Sequence, residues 1–418
     1  MNNTIKLAVA SALLAAASSA SAAGGIVAGD WTLDIGGIVN AYYTSTKTSG
    51  TTNATGYGAT FNTSNDNGLN KTANITTGLL PNYLTVSGKT RQNDLDVTFL
   101  ISINPGSSTR TAGIQTGGGL AGGGNVENRQ SFLTLGDASW GSVKLGKDLG
   151  IYASDAILND MTLLGVGSGA GGLAGNTTTT GRIGTGFMYA DWKAQIAYTT
   201  PNFNGFSATA GVTQAFNAVS VGTALLSDTS TGRGGNEPAF EAKASYAFTA
   251  DAVSGKVWVS GISQQVKGIT TAGNTTDTAE SGDIGVNLNA AGFGLTGYYY
   301  EGKGIGQTVQ FNDGYDANGN ARKSDGYYVQ ATYALPGVGT KLGVSYGESK
   351  LKGNAAEAAT LVNMTDEMWV GGIYHPITKH LNLVAEYSEA KHQVNATTSG
   401  NDTDSNGKTV SLGAILFF

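Results

Sequence analysis

From Trp31 to the last residue, Phe418, apolar side chains return at every second position in one short segment after another. In 31–43, Trp31, Leu33, Ile35, Val39, Ala41 and Tyr43 share a face, with Asp34 and Asn40 opposite. In 94–103, Leu95, Val97, Phe99, Ile101 and Ile103 alternate with Asp94, Asp96, Thr98 and Ser102. The final stretch, "KTVSLGAILFF", sets Val410, Leu412, Ala414, Leu416 and Phe418 against Thr409, Ser411 and Gly413. A period of two belongs to strands with one face in an apolar medium and the other in a polar one. A soluble sandwich shows the same alternation, so the connections have to decide. They alternate in length: 136–141, 200–205, 335–340 and 375–380 are short, whereas 47–77, 104–128, 217–237, 267–282, 302–322, 352–366 and 393–407 are long and polar. Short turns at one end and long loops at the other are the signature of an outer-membrane barrel, here of about sixteen strands.

The remaining bounds agree. No stretch approaches the roughly 18 apolar residues of a membrane-spanning helix, and only helices or closed barrels satisfy their backbone in hydrocarbon. "MNNTIKLAVASALLAAASSASA" has one Lys, a short apolar core and an A-x-A end, so 1–22 is expected to be a secretory signal peptide, with 23–418 the mature barrel. With no Cys there is no disulfide framework and no lipidation at the new N-terminus. A formal net charge of −6 leaves no electrostatic footprint for nucleic acid. The tyrosine runs at 42–43, 298–300 and 327–328 sit beside long loops, where an interfacial girdle is expected.

Two blocks carry a resemblance. "NRQSFLTLGDASWGSVKLGKD" (128–148) resembles the fourth and fifth strands of Gram-negative general porins, and "AYTTPNFNGFSATAGV" (197–212) is similar to their Tyr-x-(Ser/Thr)-Pro-x-x-x-Gly-Phe hairpin. The resemblance implies an all-β, transmembrane antiparallel β-barrel with short periplasmic turns, long outer loops and a third loop folded into the lumen. It implies a homotrimer in outer-membrane lipid and lipopolysaccharide, passing small hydrophilic solutes and ions, with the terminal Phe418 as the signal read by the barrel-assembly machinery. The Gly-rich stretch 165–175 departs from the family's usual third-loop tip.

In the family, acidic residues of the third loop face basic residues of the wall. A lipid-facing cation near mid-membrane costs roughly 2–4 kcal/mol, so Arg129 and Lys144 belong inside. Parity supports this if Phe132 and Thr134, and Val143 and Leu145, face lipid. Arg91 and Arg182 are further candidates for the wall, and Lys147 for the rim. The third loop is expected over 148–180, with Asp155 and Asp160 facing Arg91, Arg129 and Lys144 across the pore constriction.

Other motifs fail on context. "GVGSGAGG" lacks the strand–loop–helix setting of a phosphate loop. His375, His380 and His392 lack helical metal spacing and read as turn or loop residues. "DTDSNG" (402–407) and "DANGN" (316–320) begin like calcium loops, but the first has Gly413 at its twelfth position, and the ordinary reading of both is an Asp/Asn turn. No metal, cofactor or catalytic residue is expected. A substrate-selective channel stands beside the diffusion pore as an alternative, and a barrel enzyme is the rival from another class.

Overall fold

The computed structural model describes residues 25–50, 71–107, 126–172, 178–216, 237–267, 276–316, 318–357, 361–395 and 403–418; the expected signal peptide lies outside them. Sixteen antiparallel strands form one closed wall. They are β1 (Trp31–Gly50), β2 (Tyr83–Gln92), β3 (Leu95–Pro105), β4 (Ser131–Asp137), β5 (Gly141–Leu149), β6 (Trp192–Thr199), β7 (Phe206–Thr213) and β8 (Ala239–Ala250). The second half comprises β9 (Val253–Lys267), β10 (Thr276–Ala290), β11 (Phe293–Lys303), β12 (Lys323–Ala334), β13 (Lys341–Lys352), β14 (Asn363–Pro376), β15 (Leu381–Asn395) and β16 (Thr403–Phe417). Each strand pairs with its neighbours in sequence, and β16 pairs with β1 from Ile38↔Phe417 to Gly50↔Ser405. The terminal residue finishes the seam: Gly37 N donates to the Phe418 carbonyl at 2.8 Å and Phe418 N to that of Gly37 at 3.0 Å. Closure leaves no strand edge, which hydrocarbon would not tolerate. Among the described residues no helix is long and apolar enough to cross a membrane.

The short-turn end holds three two-residue hairpins that no length argument had marked. Gln92 pairs with Leu95, Ala250 with Val253 and Ala290 with Phe293. Positive φ at Asn93 (49°), Asp94 (60°), Ala291 (50°) and Gly292 (85°) gives the left-handed turns whose twist matches the strands they join. At the other end several strands outrun the expected loop boundaries. Lys47–Gly50, Thr276–Gly282 and Thr403–Gly407 are all paired. These tips carry polar side chains on both faces, so the alternation that marks a strand within lipid is missing there.

The outward face is apolar where it should meet lipid: Val39, Ile101, Ile196, Val259, Ile284, Val344 and Leu412 are exposed. It is ringed by aromatics at both ends. Tyr299, Tyr327 and Trp369 lie toward the long loops, and Phe203, Phe206, Phe293 and Phe418 toward the turns. Outward charges such as Glu301, Asp325 and Lys350 lie beyond the upper ring, where the lipid-face penalty has faded.

One parity expectation is corrected. Leu133 is outward and 43% exposed, Leu133 and Leu135 pair with Phe99 and Val97, and Thr134 pairs with inward Lys144. Phe132 and Thr134 therefore face the lumen, and the lipid face of β4 is Ser131, Leu133 and Leu135. The Phe132 ring is not a lipid anchor; it lies 4.7 Å under the Lys144 ammonium.

Candidate functional site

The connection from β5 to β6, residues 150–191, runs through the barrel interior. It is longer than the expected 148–180 segment, with Asp148 still in β5 and Arg182 on its returning arm. Among its described side chains only Leu158, Asn159, Leu164 and Asp191 are even partly exposed. It begins where Ile151 N and Tyr152 N both donate to Glu241 of β8 at 2.8 Å. A one-turn helix α1 (Ser154–Leu158) follows, then a 3-10 turn over Met161–Leu164.

The loop touches wall on many sides. Tyr328 Oη (β12) donates to the Ala156 carbonyl at 2.9 Å, and Met161 N to Gln330 at 2.7 Å. Tyr42 Oη (β1) donates to the Leu164 carbonyl at 2.7 Å. Glu386 (β15) accepts from Val166 N at 2.8 Å, Gly167 N at 2.9 Å and Tyr374 Oη at 2.7 Å. Where Gly78 meets the loop a Cβ would lie 2.2 Å from the Gly165 carbonyl oxygen, so only glycine permits that approach. Tyr42, Tyr298, Tyr300 and Tyr328, expected in the girdle, turn inward and are buried; Tyr43, Tyr299 and Tyr327 meet lipid.

A second loop, 304–322, also folds in, which the sequence did not show. Ile305 and Phe311 are fully buried. Tyr189 N donates to the Thr308 carbonyl at 2.9 Å. Gln310 donates to the Tyr189 carbonyl at 3.0 Å and accepts from Lys193 Nζ at 2.6 Å, the same ammonium that donates to Glu241 at 2.6 Å.

The expected charge pairs are rearranged. Asp155 accepts from Lys243 (β8) at 3.2 Å and from Lys256 (β9), two wall cations that sequence reasoning passed over. Burial pushes the Asp155 carboxyl up, but the two ammonium groups outweigh it and hold it below the usual carboxylate range. Asp160 faces none of Arg91, Arg129 and Lys144. It caps its own turn, accepting from Thr162 N at 2.9 Å and Thr162 Oγ1 at 2.6 Å, and burial raises its carboxyl against the pull of nearby Arg182. Arg182, fully buried, donates to the Met368 carbonyl at 2.9 Å and to Ser345 Oγ, tying the returning arm to β13 and β14. Arg91 ends at the turn side, bridging Asp96 and Asp137 at 2.8 Å each. Arg129 is buried just before β4, donating to Glu127 at 3.0 Å. Lys144 faces the lumen as expected and pairs with Asp148. Lys147 reaches the Asn128 carbonyl at 2.7 Å.

The histidines and calcium-like runs resolve locally. His392 is not a loop residue: it is buried in β15, 2.6 Å from Asp366. His375 closes β14, its Nδ1 2.8 Å from Thr340 Oγ1. Asp316 accepts from Asn318 N, Asn320 N and Asn354 Nδ2 at 2.8–3.0 Å, a turn satisfied by protein donors. Residues 403–407 are strand, and 402 lies outside the described residues. Among the described residues no group of three metal-ligating side chains occurs.

A family profile described as Gram-negative porin matches residues 8–395. The chain belongs to the Gram-negative porin family. Curated protein sequences show no significant match. Among solved structures it is similar to the outer-membrane channel DcaP of Acinetobacter baumannii, with TM-score 0.63, 14% identity, 95% of this chain and 100% of that chain covered. It is also similar to an anion-selective porin from Comamonas acidovorans, with TM-score 0.56, 15% identity and coverage of 93% and 100%. Salmonella typhi OmpF in complex with daunomycin gives TM-score 0.52, 16% identity and coverage of 94% and 99%. At these identities the likeness carries the fold. Family and fold together make this porin a multi-pass outer-membrane protein and a passive channel.

Proposed function

We propose that the in-folded loop 150–191 is the constriction of this porin, that ions and small hydrophilic solutes diffuse past it, and that the passage prefers anions. One observation carries the sign: two partly exposed lumen lysines, Lys243 and Lys256, share a single loop carboxylate, Asp155, leaving a net positive charge at that point. Lys144 adds a further lumen cation partly offset by Asp148. A charge about 7 Å from a passing ion in water is worth about 0.6 kcal/mol, attracting an anion and repelling a cation alike, which is roughly a sevenfold bias between the two. In this proposal Arg182 and Asp160 hold the loop's shape, Arg91 lies at the turn-side rim and Arg129 behind the loop. No step of the reading calls for an enzyme site.

Reversal potential in a salt gradient tests it. Wild type is expected to favour chloride over potassium, Lys243→Gln and Lys256→Gln each to shift the ratio toward potassium by about sevenfold, and Asp155→Asn to shift it the other way. A cation-selective wild type indifferent to both lysine changes would sink the assignment. We also propose a homotrimer, assembly through recognition of the Phe418 end, and lipopolysaccharide contact along the outward charges above the aromatic ring, such as Lys303, Lys323 and Lys352.

A further inference from the structure

Beyond the upper aromatic ring, the outward charges of β10 to β13 are sorted into rows. Lys303 of β11 stands directly opposite Lys323 of β12, and Lys323 opposite Lys352 of β13. One pleat nearer the ring, Glu301 stands opposite Asp325. One pleat nearer again, Tyr299 lies between Ile284 and Tyr327. Like charges set side by side on one face destabilise a sheet, so a lysine row three strands wide calls for a counter-charge. Within the protein it is only partly met. Lys352 reaches Asp325 at 2.5 Å, and Lys303 stands 3.7 Å from Asp277 and opposite Glu280. Lys323, between them, has no ion-pair partner among the described residues.

The same rows line a groove of about 820 Å³, in the size range of ligand clefts. The wall is bare at Gly282, where a Cβ would meet nothing nearer than the Ser260 carbonyl oxygen at 3.7 Å, and its cross-strand neighbour is Gly261. From the membrane outward the groove offers an apolar step at Ile284 and Tyr299, then carboxylates, then ammonium groups. Ionised carboxylates only accept, so they suit hydroxyl and amide N–H groups. Ammonium groups suit phosphate. A phosphorylated glycolipid presents acyl chains, then a sugar rich in hydroxyl and amide donors, with phosphates on its water-facing edge. A free phosphate would meet Glu280, Glu301 and Asp325 as repelling neighbours, and a phospholipid without sugar brings them no such set of donors.

We infer that this groove seats one phosphorylated glycolipid headgroup, that of lipopolysaccharide, with its phosphates on Lys303, Lys323 and Lys352 and its sugar donors on Glu301 and Asp325. The inference rests on the lipopolysaccharide contact proposed for the outward charges and narrows it to one seat on β10 to β13. Native mass spectrometry of the folded porin in detergent, incubated with diphosphorylated lipid A, tests it. One lipid per chain should stay bound, and the same lipid stripped of phosphate should not. Lys303→Gln combined with Lys323→Gln should weaken retention about thirtyfold, at about a factor of five for each lysine near an anionic surface. Gly282→Leu should weaken it as well, by filling the groove. Lys391→Gln combined with Lys408→Gln removes two outward charges on β15 and β16, and should leave retention unchanged. Unaltered channel conductance shows that each variant has folded. Equal loss from both lysine pairs, or none from the first, would overturn the seat while sparing contact along the outward charges. No phosphate-dependent retention by wild type would overturn seat and contact together.

Discussion

Buried carboxylates at two places decide how firmly the constriction is held. Glu386 receives three donors from the loop and the wall. Glu386→Ala strands them, at about 1–3 kcal/mol for each buried group left unpaired. The expected outcome is faster hydrogen exchange at Val166 and Gly167 and noisier single-channel current. Glu386→Gln, which retains an accepting oxygen, should be milder. Asp155 and Asp160 respond to acid in opposite senses. Asp160, raised by burial, takes its proton first as pH falls, and this relieves a buried charge; the stability it costs when ionised is recovered on acidification. Asp155, held low, contributes attachment that is complete above the ordinary carboxylate value of 3.8 and is lost as pH falls through its depressed one. The part of the conductance change that depends on Asp155 should therefore appear only below about pH 4, after Asp160 has taken its proton, and Asp155→Asn should remove that low-pH transition. Parity made Lys144 legible, because Val143 and Leu145 flank it. The same parity holds for Lys243, between Ala242 and Ala244, and for Lys256, before Val257 and Val259, which sequence reasoning passed over. What it cannot supply is which inward cation a loop acid reaches, since β8 and β9 are brought to α1 only by the closed wall.

At the scale of elements, the third loop behaves as a packed body latched by a second one. Lys193 and Glu241, both fully buried, form an ion pair whose remaining bonds are taken by Thr213, Gln310 and two backbone N–H groups of the loop. A buried pair of this kind is weak evidence for stability but specifies one arrangement, because any other leaves charges unmet. The Gln310 side chain joins the second loop to both the pair and the exit of the first. Gln310→Ala should release 304–316 without unfolding the wall, seen as increased hydrogen exchange confined to that segment and to Tyr189. Unchanged protection there would show that the latch lies in the apolar contacts of Ile305 and Phe311. The sequence of 302–322 reads as an outer loop because its Gly and Asn break the alternation. Its inward course depends on a lumen that exists only after closure.

For the whole molecule, the wall and its contents have different origins. The proposed trimer in a planar bilayer is expected to conduct in steps grouped by three, with conductance nearly linear in salt. Single, small, solute-blocked steps would instead favour the substrate-selective alternative that the tightly packed loops make worth testing. The barrel was legible in outline, apart from three tight hairpins, the polar strand tips and the faces of β4: alternation and the apolar end strand follow from one physical demand, that every backbone group be paired and lipid-facing side chains be apolar. That demand acts residue by residue, so it leaves a local pattern which sequence alone reveals. The register that sets Lys243 and Lys256 beside Asp155, the tyrosines divided between lipid and loop, and the two loops locked around Gln310 arise from contacts between residues far apart in the chain. No local pattern encodes such contacts, and only the closed tertiary structure decides them.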